Sequence, residues 1–247
     1  METELGQRKH LFTNKQLWAL LVPVVVEQIL NSLMGTADTM MVSNVGSAAI
    51  SAVSLVDSIN VLVIQVFAAL AAGGTIICSQ YMGQKNVKNA TDAAKQLIFI
   101  ITAIAVVLTA VCVVFQIPLL HLIFGKVEAE VMTNSEVYFL YTALSFPFIA
   151  VFNAGSSVFR AQENTSLPMT ISVISNIMNI VGNAILIFGF HMGVAGAALS
   201  TLISRIFCAI VVMYFLRNPK EEICVRDYIK IRPDRHKIKM ILALGIP

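Results

Sequence analysis

Read along its length, the chain is a succession of long apolar runs separated by short polar stretches. Runs of about twenty apolar residues or more lie at about 17–42, 53–80, 95–116, 136–159, 168–190 and 193–216. A seventh begins near Ile238 and is still in progress at Pro247. About 20 such residues are needed for a helix to cross a bilayer. Stretches such as LIFIITAIAVVLTAVCVVF (97–115) lack the period-two alternation of a membrane β-barrel strand. The pattern therefore predicts an all-α, polytopic membrane helical bundle with six transmembrane helices and the start of a seventh.

Composition supports that architecture. Of 247 residues, 57% are hydrophobic and only 13% charged, about half the ~25% of an ordinary soluble domain. A disordered chain, a coiled coil and a disulfide scaffold are excluded, and a soluble enzyme is strongly disfavoured. The net charge of +3 implies no nucleic-acid partner, so the placement of the charges matters more than their sum. Fifteen of the seventeen Lys and Arg residues fall in the N-terminal segment, in the loops after spans two and four, and after span six. The opposite loops hold only Lys126, and Arg205 lies within span six. The positive-inside rule then predicts that the N-terminus and the 217–239 segment are cytoplasmic, and the expected location is the cell's plasma membrane, as a multi-pass protein.

Four segments follow: a cytoplasmic N-terminal stretch at 1–16, a six-helix lobe at 17–216, a basic cytoplasmic linker at 217–237, and the start of helix seven at 238–247. The linker carries Pro219 and Pro233. It reads as a solvated loop, although basic residues beside a membrane also attract anionic lipid at about 1 kcal/mol each. KQLWALLVP at 15–23 and KMILALGIP at 239–247 share Lys, Ala, Leu and Pro in register. Internal repeats are a feature of secondary transporters, which makes this chain read as the first half of a protein about twice as long.

Ionisable residues at membrane depth are costly and face a cavity or a partner. Candidates are Glu27 and Asp38 in span one, Asp57 at the opening of span two, and Arg205 in span six. Glu27, Asn31 and Asp38 share one helix face, because eleven steps of about 100° return to within about 20° of the start. Pro23 sits one turn before Glu27 and should bend the helix there. Asp38 and Glu27 are rival proton carriers. Asp57 reads more readily as an interfacial residue or a cap. Asn176, Asn179 and Asn183 also share a face, serving either as interhelical glue or as a polar cavity wall. Thr201 and Arg205 are one turn apart, with Arg205 the better candidate for an ion pair than for a substrate ligand. Gln65 reads as packing.

No hydrolytic, Walker or Cys/His motif is present, and nothing calls for a cofactor or metal. Cys78, Cys112, Cys208 and Cys224 form no CxxC pair and read as small apolar residues.

Four stretches resemble the multidrug and toxic compound extrusion (MATE) transporters. They are PVVVEQILNSLMGTADTMMVSNVGSAAISAVSL, GGTIICSQYMGQKNVKNA, SSVFRAQENTSLPM and NIMNIVGNAILIFGFHMGVAGAALSTLISR. The family has twelve helices in two lobes, so the resemblance implies an N-terminal lobe whose C-terminal partner lobe is missing from this sequence. It implies efflux of small amphipathic, often cationic molecules by antiport against protons or sodium ions. The family's cavity residues fall on Asp38, Asn31, Asn179, Asn183 and Thr201. Two positions depart from the family. Some members carry an aspartate where this chain has Asn183, which leaves Asp38 as the better proton carrier, and a glycine usually stands at Glu163.

The leading expectation is therefore an alternating-access efflux antiporter, not an enzyme. A lipid-linked precursor flippase of the same superfamily would favour a more basic cavity, and Arg205 is the only basic residue in the six spans. A non-transporting membrane scaffold is the rival from another class; it predicts that Asp38 and Asn179 are dispensable. An intramembrane enzyme is more remote.

Overall fold

The computed structural model describes residues 14–219, 221–225 and 234–245, apart from the side chains of Gln16, Asn31, Arg235 and His236. Arg8 and Lys9 of the N-terminal segment lie outside the described residues. So do Lys220, Arg226, Lys230, Arg232 and Pro233 of the linker, and the last two residues of the second repeat copy.

The described residues are helical, with no strand among them. In chain order the helices are α1 (Asn14–Val42), α2 (Ser47–Gly83), α3 (Val87–Val114), α4 (Gln116–Phe124), α5 (Ala129–Leu144), α6 (Phe146–Ala161), α7 (Ser166–Asn183), α8 (Gly193–Leu216) and α9 (Arg235–Gly245). A π-helical segment, Ala184–Gly189, continues α7. Five of these are long and apolar enough to cross a membrane, and the bent pair α5 and α6 makes up to six.

Three differences from the hydropathy reading have local causes. The run at 136–159 is two helices bent by 41° at Ser145. Pro147 at the start of α6 has no N–H to give to the last turn of α5. Second, α2 starts at Ser47 rather than near Val53, because Ser and Ala extend a helix without registering as an apolar run. Asp57 is thereby carried from the helix mouth to its third turn. Third, the stretch between the runs at 95–116 and 136–159 is not all loop: it holds most of the nine-residue α4, whose Leu122 and Ile123 are exposed.

Small residues let the helices approach closely. A Cβ on Gly155 of α6 would collide with Val212 of α8, and one on Gly73 of α2 would meet the α9 backbone at Gly245 and Ile241. Thr75 and Ser157 link α2 to α6 at 2.6 Å. Phe67 and Phe146 meet edge to face at 6.5 Å in the buried core. After α8, two described residues contact the bundle: Ile223 N–H donates to Gln162 Oε1 at 2.9 Å, and Asp234 N–H donates to Gln96 Oε1 at 3.2 Å.

Helices α2 and α6 end in the same way. Lys85 N–H bonds Met82 O at 2.8 Å and Asn86 N–H bonds Tyr81 O at 2.9 Å. Glu163 N–H bonds Arg160 O at 3.1 Å and Asn164 N–H bonds Phe159 O at 2.9 Å. Both are Schellman terminations, in which the turning residue has positive φ and is usually glycine. Here it is Lys85 at φ 56° and Glu163 at φ 61°. This accounts for the family glycine at position 163. Glu163→Gly should stabilise the fold by roughly 0.5–1 kcal/mol, the left-handed penalty less the added freedom of the unfolded glycine. A lowered thermal midpoint for that variant would contradict this reading of the turn.

Candidate functional site

Asp38 stands on α1 four residues before the helix ends, and its side chain is 2% exposed. The helix packs along α7, which brings the Asn179 and Asn183 face against it. Asn183 Nδ2 donates to Asp38 Oδ1 at 2.5 Å. Thr201 Oγ1 of α8 lies 3.0 Å from Asp38 Oδ2, and Asn179 Nδ2 donates to that hydroxyl at 3.1 Å. Four of the residues singled out in the sequence, on three helices, thus form one connected buried network. The backbone widens into its π-helical segment directly after Asn183, and such segments are frequent at functional sites.

The Thr201 hydroxyl is also 3.0 Å from Ala197 O, yet it has one proton to give. With Asp38 ionised, that proton belongs to Asp38. With Asp38 protonated, the acid can donate to Thr201, whose own proton is released to Ala197 O. Both Asp38 oxygens stay bonded in either state and only the Thr201–Ala197 bond is gained or lost, so Asp38 can hold or lose a proton without stranding either of its own oxygens.

Glu27, expected as a rival on the same face, is placed elsewhere. It is 2% exposed, and both its oxygens lie 2.8 Å from Arg160 Nη2 at the end of α6. An acid held this way is a structural ion pair across α1 and α6. The side chain of Asn31 lies outside the described residues. Of the three asparagines in α7, Asn176 turns its Nδ2 onto Ser172 O at 2.8 Å and lines the cavity.

That cavity, of about 230 Å³, opens beside Asp38 and holds several residues that sequence reasoning undervalued. Asp57, Asn60, Val61, Ile64, Gln65 and Ala68 line it as one stripe of α2. Their spacing of three and four residues was legible, but a span started at Val53 left Asp57 looking like an end residue. Gln65, read as packing, is part of this wall. Tyr138 of α5 reaches Asp57 Oδ1 at 3.2 Å across 81 residues of sequence, which no local pattern signals. Arg205 of α8 is 8% exposed, donates to Ser145 Oγ at 2.6 Å, and lines the same cavity. It lies within electrostatic reach of Asp38 and Asp57 without a direct ion pair to either among the described residues.

A family model, MatE, matches residues 23–185, about two thirds of the chain. The chain belongs to the MatE family. Its relatives include the "Uncharacterized transporter YisQ" of Bacillus subtilis, 30% identical over 236 residues, covering 94% of this chain and 51% of that protein. The "Probable multidrug resistance protein NorM" of Thermotoga maritima is 30% identical over 240 residues, covering 94% and 50%. A solved structure described as MATE in the bent conformation superposes with a TM-score of 0.87 at 23% identity, covering 94% of this chain and 52% of that one. This MatE chain thus spans about half the length of the curated relatives it matches. The half-length match agrees with the expected N-terminal lobe, and the superposition shares the helical fold.

Proposed function

We propose that this chain is one lobe of a secondary active transporter that exports small amphipathic organic cations by alternating access, with Asp38 as the proton carrier. The observation that carries this reading is the buried Asp38 carboxylate, bonded by Asn183 and Thr201 at the edge of a cavity. The single Thr201 proton gives Asp38 two equally satisfied states, as a carrier requires. Membership of a family that includes relatives named as multidrug resistance proteins supports the substrate class. A proton is preferred over sodium as the coupling ion, because both Asp38 oxygens are already bonded by Asn183 and Thr201. The test is the full protein in proteoliposomes carrying an internal pH dye. Export of a cationic dye should run on an imposed pH gradient and release protons in exchange. Transport driven by a sodium gradient at uniform pH would replace the proton with sodium, and no gradient-driven transport would end the reading.

We further infer a plasma-membrane protein with its N-terminus cytoplasmic, the 117–135 stretch outside, and bilayer lipid around it. The fifteen-to-one distribution of basic residues supports this. In a cysteine-free background, an impermeant thiol reagent added outside intact cells should modify a cysteine at exposed Lys126 and spare one at exposed Glu222. The opposite labelling would invert the topology.

A further inference from the structure

Asp57 occupies a place in this cavity that the proton site does not explain. Its Oδ1 accepts from Asn60 Nδ2 at 3.2 Å and from Tyr138 OH at 3.2 Å. No described residue donates to Oδ2, and Gly35 of α1 faces that oxygen without a side chain; a Cβ there would lie 3.8 Å away. Asn60 is 3% exposed, yet its Oδ1 has no hydrogen-bond partner among the described residues. An unsatisfied buried acceptor is costly, and Asn60 lines the cavity beside the Asp57 carboxylate, one oxygen of which is also unbonded. Asp38 is the opposite case, with both of its oxygens already bonded to protein.

We propose that Asp57, with Asn60 Oδ1, is the subsite that holds the cationic N–H group of the substrate, while Asp38 holds the proton. This rests on the transport reading above and gives it a division of labour. The remaining walls fit an organic cation rather than a bare ion. Met34, Val61, Ile64, Ala68, Ile149 and Phe152 offer apolar surface around the two acceptors. A volume of about 230 Å³ is just under the ~300–1,000 Å³ of a drug-sized site and suits the charged end of an amphipathic molecule.

Charge counting then couples the two sites. The titratable and charged groups facing Asp38 are Asp57 on α2, Tyr138 on α5 and Arg205 on α8. With Asp38 protonated, Asp57 and Arg205 balance. With Asp38 ionised, the cavity carries one net negative charge. In a water-poor site such an imbalance is expensive, and either one proton on Asp38 or one monocation at Asp57 removes it. Proton and substrate exclude each other without sharing a carboxylate, and the exchange is one for one.

The test is equilibrium binding of rhodamine 6G, a monocation whose charge is shared by two N–H groups, to the full purified protein across pH. Wild type should bind more weakly as pH falls. Asp57→Asn should weaken binding at least tenfold at the pH where wild type binds best, and Asp57→Glu should recover part of it. Asp38→Asn should still bind, at the low-pH affinity of wild type, with the pH dependence gone. Asp57→Asn binding within twofold of wild type, or Asp38→Asn binding more weakly than wild type does at low pH, would overturn the Asp57 subsite while leaving the transport reading intact. Absence of saturable binding by folded wild type would overturn both.

Discussion

Asp38→Asn is expected to abolish proton-driven export while leaving the protein folded and inserted. The substitution keeps the size and planarity of the side chain and removes the titratable oxygen. The asparagine oxygen can still accept from Asn183 Nδ2, which bonds Asp38 Oδ1 at 2.5 Å. Its amide nitrogen would face the Thr201 hydroxyl and donate to it, with the Thr201 proton passing to Ala197 O at 3.0 Å. The variant therefore mimics the protonated acid and locks the network in one of its two states. Burial of an uncharged group at membrane depth is also cheaper than burial of a carboxylate, so instability cannot account for lost activity. Substrate-induced proton release from the purified protein should fall from about one per site to none. Release at the wild-type level from a folded Asp38→Asn protein would remove Asp38 as carrier.

The second large effect is expected at Arg160. Glu27 is 2% exposed and both its oxygens lean on Arg160 Nη2 at 2.8 Å. Arg160 itself is only partly buried, with its side chain 24% exposed. Removing the arginine leaves a carboxylate enclosed without its counter-charge, which costs about 3–5 kcal/mol in comparable buried pairs. Arg160→Gln should lower the thermal midpoint in detergent sharply. Replacing both members, Glu27→Gln with Arg160→Gln, should recover much of the loss, because the enclosed charge is gone. Glu27→Gln alone should keep substrate-induced proton release. If it lost release and Asp38→Asn kept it, the roles of the two acids would be exchanged. Equal stability of Arg160→Gln and wild type would mean that the ion pair contributes nothing to the fold.

What the sequence determined by itself was the class of solvent and the element type. Long apolar runs with few charges can be satisfied only by helices in a bilayer, since every backbone group must bond internally there. Helical periodicity also put Asn176, Asn179 and Asn183 on one face, and the family resemblance pointed to Asp38 and Thr201. Those features are local, or repeat every few residues, so a linear reading captures them. Partner choice is not local. Glu27 and Asp38 are equivalent by periodicity, yet one meets Arg160 across 133 residues and the other meets Asn183 across 145. Only the packing of α1 against α7, and the reach of Arg160 from α6 to Glu27, separated an ion pair from a proton site. Asp57 was obscured because Ser47 and the alanines after it extend α2 without adding hydropathy, so its depth was set by the folded helix. Tyr138 and Arg205 enter the cavity because α5, bent away at Ser145, packs against α2 and α8. Contacts between helices far apart in sequence decide which polar groups share a cavity, and that information is carried by side-chain packing in three dimensions.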